Sequence, residues 1–298
     1  MNVFVTGATG FVGSAVVQDL IAAGHTVLGL ARSEAGAKTL EAAGAQVHRG
    51  SLEDEASLRS GAAVADGIIH MGFNHDFARF AENCELDRRA IGILGDALLG
   101  SERQLLVTSG LMLQVPNGRV ANEDDLVYPT SSTYPRVSEA AVVALKTRGI
   151  NATVVRLPPS VHGEGDHGFV PTLIRIAREK GLSAYIGDGL NRWPAVHRLD
   201  AARVFRLAIE HGFADHPYHA VAEEGVLFKD IAAVIARLLN VPLVAKSAAE
   251  SADHFGWFSM FAGIDAPASS EKTKTLLGWT PQQTGLLQDI EQTSYFSI

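Results

Sequence analysis

Thr6-Gly7-Ala8-Thr9-Gly10-Phe11-Val12-Gly13 stands near the start of the chain, between an apolar run and a helical pattern. The run before it, Asn2-Val3-Phe4-Val5-Thr6, reads as a buried strand. After it Val12, Val16 and Leu20 recur at helical spacing, and Gly24 closes the helix. Glycines at these intervals in a strand–turn–helix setting predict a cradle for a dinucleotide. Gly7 permits the tight turn, Gly10 lets the backbone approach a pyrophosphate, and Gly13 lets the helix pack close to the strand. The helix start, with Thr9, Phe11 and Val12, offers N–H groups and a partial positive charge to the phosphates.

The same alternation continues outward. Strands are expected at 25–30, 46–48, 67–71, 104–108 and 152–156, and helices at 35–43, 77–99 and 134–147. Near-continuous apolar strands separated by helices predict an α/β, doubly wound parallel sheet, the Rossmann fold, with helices on both faces. After Arg156 the texture changes. Pro158-Pro159, Gly163, Gly165, Gly168, Gly187 and Gly189 break the chain into loops, followed by a helix at 231–239 and a strand at 241–244. The expected division is a dinucleotide-binding domain over 1–157, to which 195–211 return, and a smaller, mainly C-terminal substrate lobe over 158–194 and 212–298.

Bulk properties narrow the function. The 298 residues carry a formal charge of −8, and no basic run interleaves with aromatics, so no nucleic-acid partner is expected. No apolar stretch is long enough for a membrane span. The first strand begins at Met1, so no leader is expected, and the lone Cys84 reads as a small buried residue. A reducing, cytoplasmic setting follows.

Cofactor choice is read at the second strand's end, Ala31-Arg32-Ser33. An NAD enzyme usually places a carboxylate there for the ribose hydroxyls. Here none stands before Glu34, while Arg32 and Ser33 suit a 2′-phosphate. The expected cofactor is NADP.

The glycine segment resembles the fingerprint of the extended and atypical short-chain dehydrogenase/reductases, and the resemblance covers nearly the whole chain. Gly50-Ser51-Leu52-Glu53-Asp54 resembles the segment that lies against the adenine. Arg156-Leu157-Pro158-Pro159-Ser160-Val161-His162-Gly163 resembles the one near the nicotinamide. Val196-His197-Arg198-Leu199-Asp200 and Thr275-Leu276-Leu277-Gly278-Trp279-Thr280-Pro281 resemble later blocks of the epimerase/dehydratase branch. The resemblance implies cofactor contacts at Ser51, Leu52, Met71, Gly72, Thr108, Leu157 and Pro158. It implies a small-molecule substrate, no metal, and a homodimer paired through the helices at 77–99 and 134–147.

The family's chemistry uses a Ser or Thr, a Tyr, and a Lys four residues after the Tyr. Here Tyr134 fills the tyrosine position, while Ser138 stands at the lysine position and Gly110 at the hydroxyl position. Arg136, two residues after Tyr134, would point away from it on a helix. Catalytic candidates are therefore Tyr134 as general acid, Ser109 as a substitute hydroxyl, and a histidine, His162 foremost, with His167 and His197 in the same region. The leading expectation is an NADP-dependent oxidoreductase passing hydride between cofactor and a small carbonyl or alcohol. A non-catalytic NADP-binding regulator and an epimerase or dehydratase using the cofactor transiently remain open.

Overall fold

The structure, a computed structural model, describes the chain apart from Met112, Gln114, Asn117, Ser132, Thr133, Thr293, Ser294, Ser297, Ile298 and the side chain of Phe77. The first half runs β1 (Asn2–Thr6), α1 (Phe11–Ala22), β2 (Thr26–Ala31), α2 (Glu34–Ala42), β3 (Gln46–Arg49), α3 (Glu55–Ala63), β4 (Gly67–His70), α4 (Phe80–Asp96), β5 (Gln104–Gly110), α5 (Ser138–Lys146) and β6 (Ala152–Leu157). The rest comprises β7 (Ser160–His162), α6 (Phe169–Lys180), β8 (Ser183–Ile186), β9 (Arg192–His197), α7 (Arg198–His211), β10 (Tyr218–His219), β11 (Glu223–Leu227), α8 (Phe228–Leu239), β12 (Leu243–Lys246), α9 (Ala248–Phe255), α10 (Ser259–Ala262), α11 (Glu271–Leu277) and α12 (Leu286–Ile290).

Seven strands form one sheet in the order β10-β6-β5-β4-β1-β2-β3, every neighbour parallel. All carboxyl ends therefore lie on one edge, and the strand order reverses between β1 and β4, where doubly wound sheets open a crevice for ligands. Strand residues alternate between two cores. Val3 and Val5 meet Val16, Leu20, Phe205 and Trp279, so α1 and α7 cover that face. Phe4 points the other way, to Leu58, Ile91, Leu94 and Leu145 of α3, α4 and α5.

Beyond the main sheet, β9 pairs antiparallel with β11 and parallel with β7, and β8 pairs parallel with β12. A third core gathers there around Trp193, Phe228, Phe255 and Phe258, with the Phe169 and Phe258 rings 4.9 Å apart.

One expected element is displaced in a way that bears on the site. The helix expected from residue 134 begins at Ser138. Pro135 disfavours helical backbone at Tyr134, and the loop claims the groups a helix would use. Tyr134 N–H donates to Ser131 Oγ at 3.0 Å, Tyr134 C=O accepts from Ser131 N–H at 2.9 Å, and Arg136 C=O accepts from Thr130 Oγ1 at 3.0 Å. Helical spacing therefore does not apply between Tyr134 and Arg136, and the expectation that Arg136 points away loses its basis. The helix at 77–99 is likewise a single 3-10 turn, Phe77–Arg79, followed by α4.

Candidate cofactor and active site

The glycine loop is built as its spacing requires. Gly7 has φ +67°, and a Cβ there would lie 2.7 Å from Gly72 N and from Met71 C and O. Gly13 is tighter, for its Cβ would come 2.0 Å from the carbonyl oxygen of Gly7. Gly10 N–H donates to that oxygen at 2.9 Å and closes the turn. Gly10 caps α1 without a side-chain hydrogen bond, and no acidic residue stands in the first turn, so the helix end keeps its positive character.

Groups around the loop continue the surface. Thr6 Oγ1 holds the chain after β4 by accepting the N–H groups of Met71 (3.2 Å) and Gly72 (3.1 Å). Leu52 packs against Gly72, within 3.0 Å of where its Cβ would stand, and Ser51 shapes that turn by accepting Asp54 N–H through its carbonyl. Thr9 approaches the start of α2 beside Gly36. Phe11 is half-buried, with the Arg198 guanidinium 5.1 Å above its ring and His167 edge-on at 5.7 Å. Val12 packs against the core under the loop. At β5 the Thr108 Oγ1 is buried with no hydrogen-bond partner among the described residues. Leu157 ends β6, its carbonyl bound by Leu111 N–H at 2.8 Å, and Pro158 follows, buried. A backbone cradle that side chains would fill, an uncapped helix start and an orphaned hydroxyl fit a dinucleotide along this edge.

At the end of β2, Arg32 is exposed and makes no hydrogen bond or ion pair among the described residues. Ser33 caps α2, its Oγ accepting Gly36 N–H at 3.1 Å, which leaves its own hydrogen to donate. Arg49 lies beside them. Its Nη1 donates to the Ser33 carbonyl at 3.1 Å, and its Nη2 pairs with Glu34 at 2.6 Å. The one carboxylate of the segment is thus neutralised by an arginine from β3, which the reading of 31–33 alone did not include. Arginines opposite a turn are common, so only the strand order β1-β2-β3 identifies this one.

Next to this edge Ser109, Leu126, Val127, Tyr128, Tyr134 and Arg136 help line a cleft of about 250 Å³. Tyr134 and Ser109, two of the three catalytic candidates, therefore line the same cleft. Burial pushes the Tyr134 phenol upward; the Arg136 cation acts against this, while Glu139 and Cys84 add to it. His162 does not line the cleft. Its ring is 1% exposed, and Nδ1 is bound to Asp289 at 2.8 Å. Asp289 belongs to α12, and Tyr295, which donates to Asp166 at 3.1 Å and accepts from Gly163 N–H at 3.0 Å, closes the same buried cluster. His162 thus ties β7 to α12. His197 stacks edge-on beside it at 5.4 Å, and burial pushes its pKa down, with His162 adding to the effect. Among the described residues no group of three His, Cys, Asp or Glu gathers for a metal, and no helix is long and apolar enough to cross a membrane.

The sheet order, the glycine cradle at its switch point and the cleft beside it define a dinucleotide-binding α/β protein. Residues 3–221 match the model of the NAD dependent epimerase/dehydratase family, and the chain belongs to that family. It is 46% identical over 296 residues to the uncharacterized protein C2A9.02 of Schizosaccharomyces pombe, covering 99% of this chain and 100% of that one. It is 26% identical to a 4-hydroxy-2-methyl-3-oxo-4-farnesyl-3,4-dihydroquinoline-1-oxide ketoreductase of Stigmatella aurantiaca, over 90% of this chain and 84% of that one. A UDP-glucose 4-epimerase of Thermus thermophilus, solved in complex with NAD, superposes with a TM-score of 0.73 at 20% identity, over 100% and 99% of the two chains, and so shares the fold. Family membership, with reductases among the relatives, places the chain among NAD(P)-dependent enzymes of the oxidoreductase kind in general.

Proposed function

We propose that the chain is an NADP-dependent reductase of a small, largely apolar carbonyl compound, working in the reverse direction on the alcohol. The observation that carries this reading is the cleft that Ser109, at the carboxyl end of β5, lines together with Tyr134. When bound, the nicotinamide supplies the hydride. The residues of the chain do the rest. The Tyr134 phenol gives its proton to the carbonyl oxygen, Ser109 donates a hydrogen bond to the same oxygen, and Leu126, Val127, Pro129 and Val143 give the cleft an apolar wall. Arg32 and the Ser33 hydroxyl bind the 2′-phosphate, while Arg49 keeps Glu34 from repelling it. A cytoplasmic setting is part of the proposal.

The test is a panel of aldehydes and ketones scored by loss of NADPH absorbance. Turnover with NADPH well above that with NADH is expected. Tight NADPH binding without turnover across the panel overturns the reading. That outcome would favour a cofactor-binding regulator, a second reading motivated by Gly110, which offers no hydroxyl, and by Ser138, which offers no cation.

A further inference from the structure

Beneath the cleft, a buried chain of hydrogen bonds runs from the glycine loop to Arg136. Thr6 Oγ1, which accepts amide hydrogens from Met71 and Gly72, is hydrogen-bonded to His70 Nδ1, 2.7 Å away. His70 Nε2 donates to the Asp87 carboxylate, at Oδ1, 3.1 Å away. The other oxygen of Asp87 accepts the Ser138 hydroxyl at 2.6 Å, and Ser138 Oγ accepts Nε–H of Arg136 at 3.0 Å. The links from His70 and, through Ser138, from Arg136 both end on Asp87.

Asp87 and Ser138 are 3% and 0% exposed. Burial alone would raise the Asp87 pKa. The hydrogen bond and charge of His70, the charge of Arg136 and the hydrogen bond from Ser138 outweigh it and hold the group below its ordinary value. A buried carboxylate requires a matching cation, and Arg136 reaches this one through a single hydroxyl. Arg136 is also held from above, its guanidinium 4.1 Å from the centre of the Phe73 ring. With its Nε bound to Ser138, Arg136 lines the same cleft as Tyr134 and Ser109. Nη2 makes only a 3.5 Å approach to the Thr108 carbonyl.

We propose that Arg136 is the cation that serves Tyr134 in this site, and that Ser138, Asp87 and His70 are the positioning chain that fixes it there. The proposal rests on the reading of Tyr134 as proton donor. A side chain four residues after the tyrosine no longer brings the charge; it anchors a charge brought by the residue two after it. A guanidinium stays protonated at every working pH, so it favours the phenolate left when Tyr134 hands over its proton. The opposing groups that face Tyr134 are Glu139 and Cys84. Glu139 is tied to Arg156 at 2.9 and 2.8 Å, so its charge is already paired, and the cation that acts on the phenol is Arg136.

The test titrates the phenol itself and needs no turnover. Protein carrying 3-fluorotyrosine at its five tyrosines is followed by fluorine NMR against pH, the Tyr134 signal being the one absent from Tyr134→Phe. Arg136→Gln is expected to raise the Tyr134 midpoint by about one pH unit or more, roughly a tenfold loss of phenolate at a given pH. Arg136→Lys, which keeps the charge, recovers part of the shift, and Ser138→Ala, which removes only the anchoring hydroxyl, gives an intermediate rise. An unchanged midpoint in Arg136→Gln overturns the proposal. An unchanged midpoint in Ser138→Ala overturns the positioning chain, and decides the matter if the Gln variant does not fold. Failure of the underlying reading looks different: Tyr134→Phe would keep full NADPH oxidation whatever the titration showed.

Discussion

Arg32 stands at the end of β2 without a partner among the described residues, beside a carboxylate that Arg49 has already neutralised. A charge-assisted contact to phosphate contributes about 1.5–3 kcal/mol. Arg32→Gln should therefore weaken NADPH binding about tenfold or more in calorimetric titration and leave NADH binding nearly unchanged; equal losses for both would refute its assignment to the 2′-phosphate. For Tyr134→Phe, loss of a general acid predicts a fall in kcat of roughly 10²–10⁴ with little change in NADPH affinity. Gly110 gives a contrasting case. A Cβ there meets nothing within 4 Å, and its φ lies outside the left-handed region. Gly110→Ser should fold with stability within about 0.5 kcal/mol of the parent. At this scale residue types were legible in the sequence and partnerships were not. Tyr134 and Ser109 could be singled out from their positions, whereas His162 could not be separated from other histidines until Asp289, 127 residues away, was placed against it.

Elements show where periodicity carries information and where it stops. Strands β1, β2, β4, β5 and β6 follow the apolar runs to within a residue or two, because a buried strand has few polar positions to blur it, while β3 is a short, exposed edge strand. The seventh strand of the main sheet, Tyr218–His219, is two residues long and has no period to read. Helix α3 escaped for a related reason. Its Glu55–Ala63 sequence is nearly balanced in polarity, and it is fixed by the Asp54 cap on Ser57 N–H at 3.2 Å and by burial of Leu58. The late start of α5 came from Pro135 and the turn around Ser131, which set the position of Tyr134 and Arg136. Contact between α1 and β1 gives the prediction for this scale. A methyl group at Gly13 would lie 2.0 Å from the Gly7 carbonyl oxygen, which is backbone and cannot swing away. Gly13→Ala should cost about 1–3 kcal/mol, as overpacking does, read as a lower Tm. It should lose NADPH affinity as well, because the loop must open.

The whole molecule joins its parts through buried polar links, and these give stability a pH dependence. His219 sits between Ser269 and Arg156: its Nδ1–H donates to the Ser269 carbonyl at 2.8 Å, and Nε2 accepts from Arg156 Nη1 at 3.1 Å. A second proton on Nε2 would face a guanidinium. Burial, first, and the Arg156 charge push the pKa down to about 4, although the Ser269 carbonyl acts the other way. The unfolded chain has its ordinary value of 6.5, so between these limits it binds more protons than the folded one. The His219 contribution is therefore complete above about pH 6.5 and is lost as pH falls toward 4. Tm should drop across that window, and His219→Gln should flatten part of the drop; a profile that keeps its slope in the variant would assign the loss elsewhere. The sequence by itself determined the doubly wound class, the glycine cradle and the arginine that replaces a carboxylate after β2. The cradle rests on neighbours within one strand–turn–helix unit, where spacing fixes geometry, and the class rests on the repetition of such units along the first half of the chain. The tertiary structure decided what spans the sheet: Arg49 on Glu34, His162 on Asp289, and the run from Thr6 through His70, Asp87 and Ser138 to Arg136. Each of these joins residues that only strand order and helix packing bring within hydrogen-bond reach, and a one-dimensional pattern holds no record of that distance.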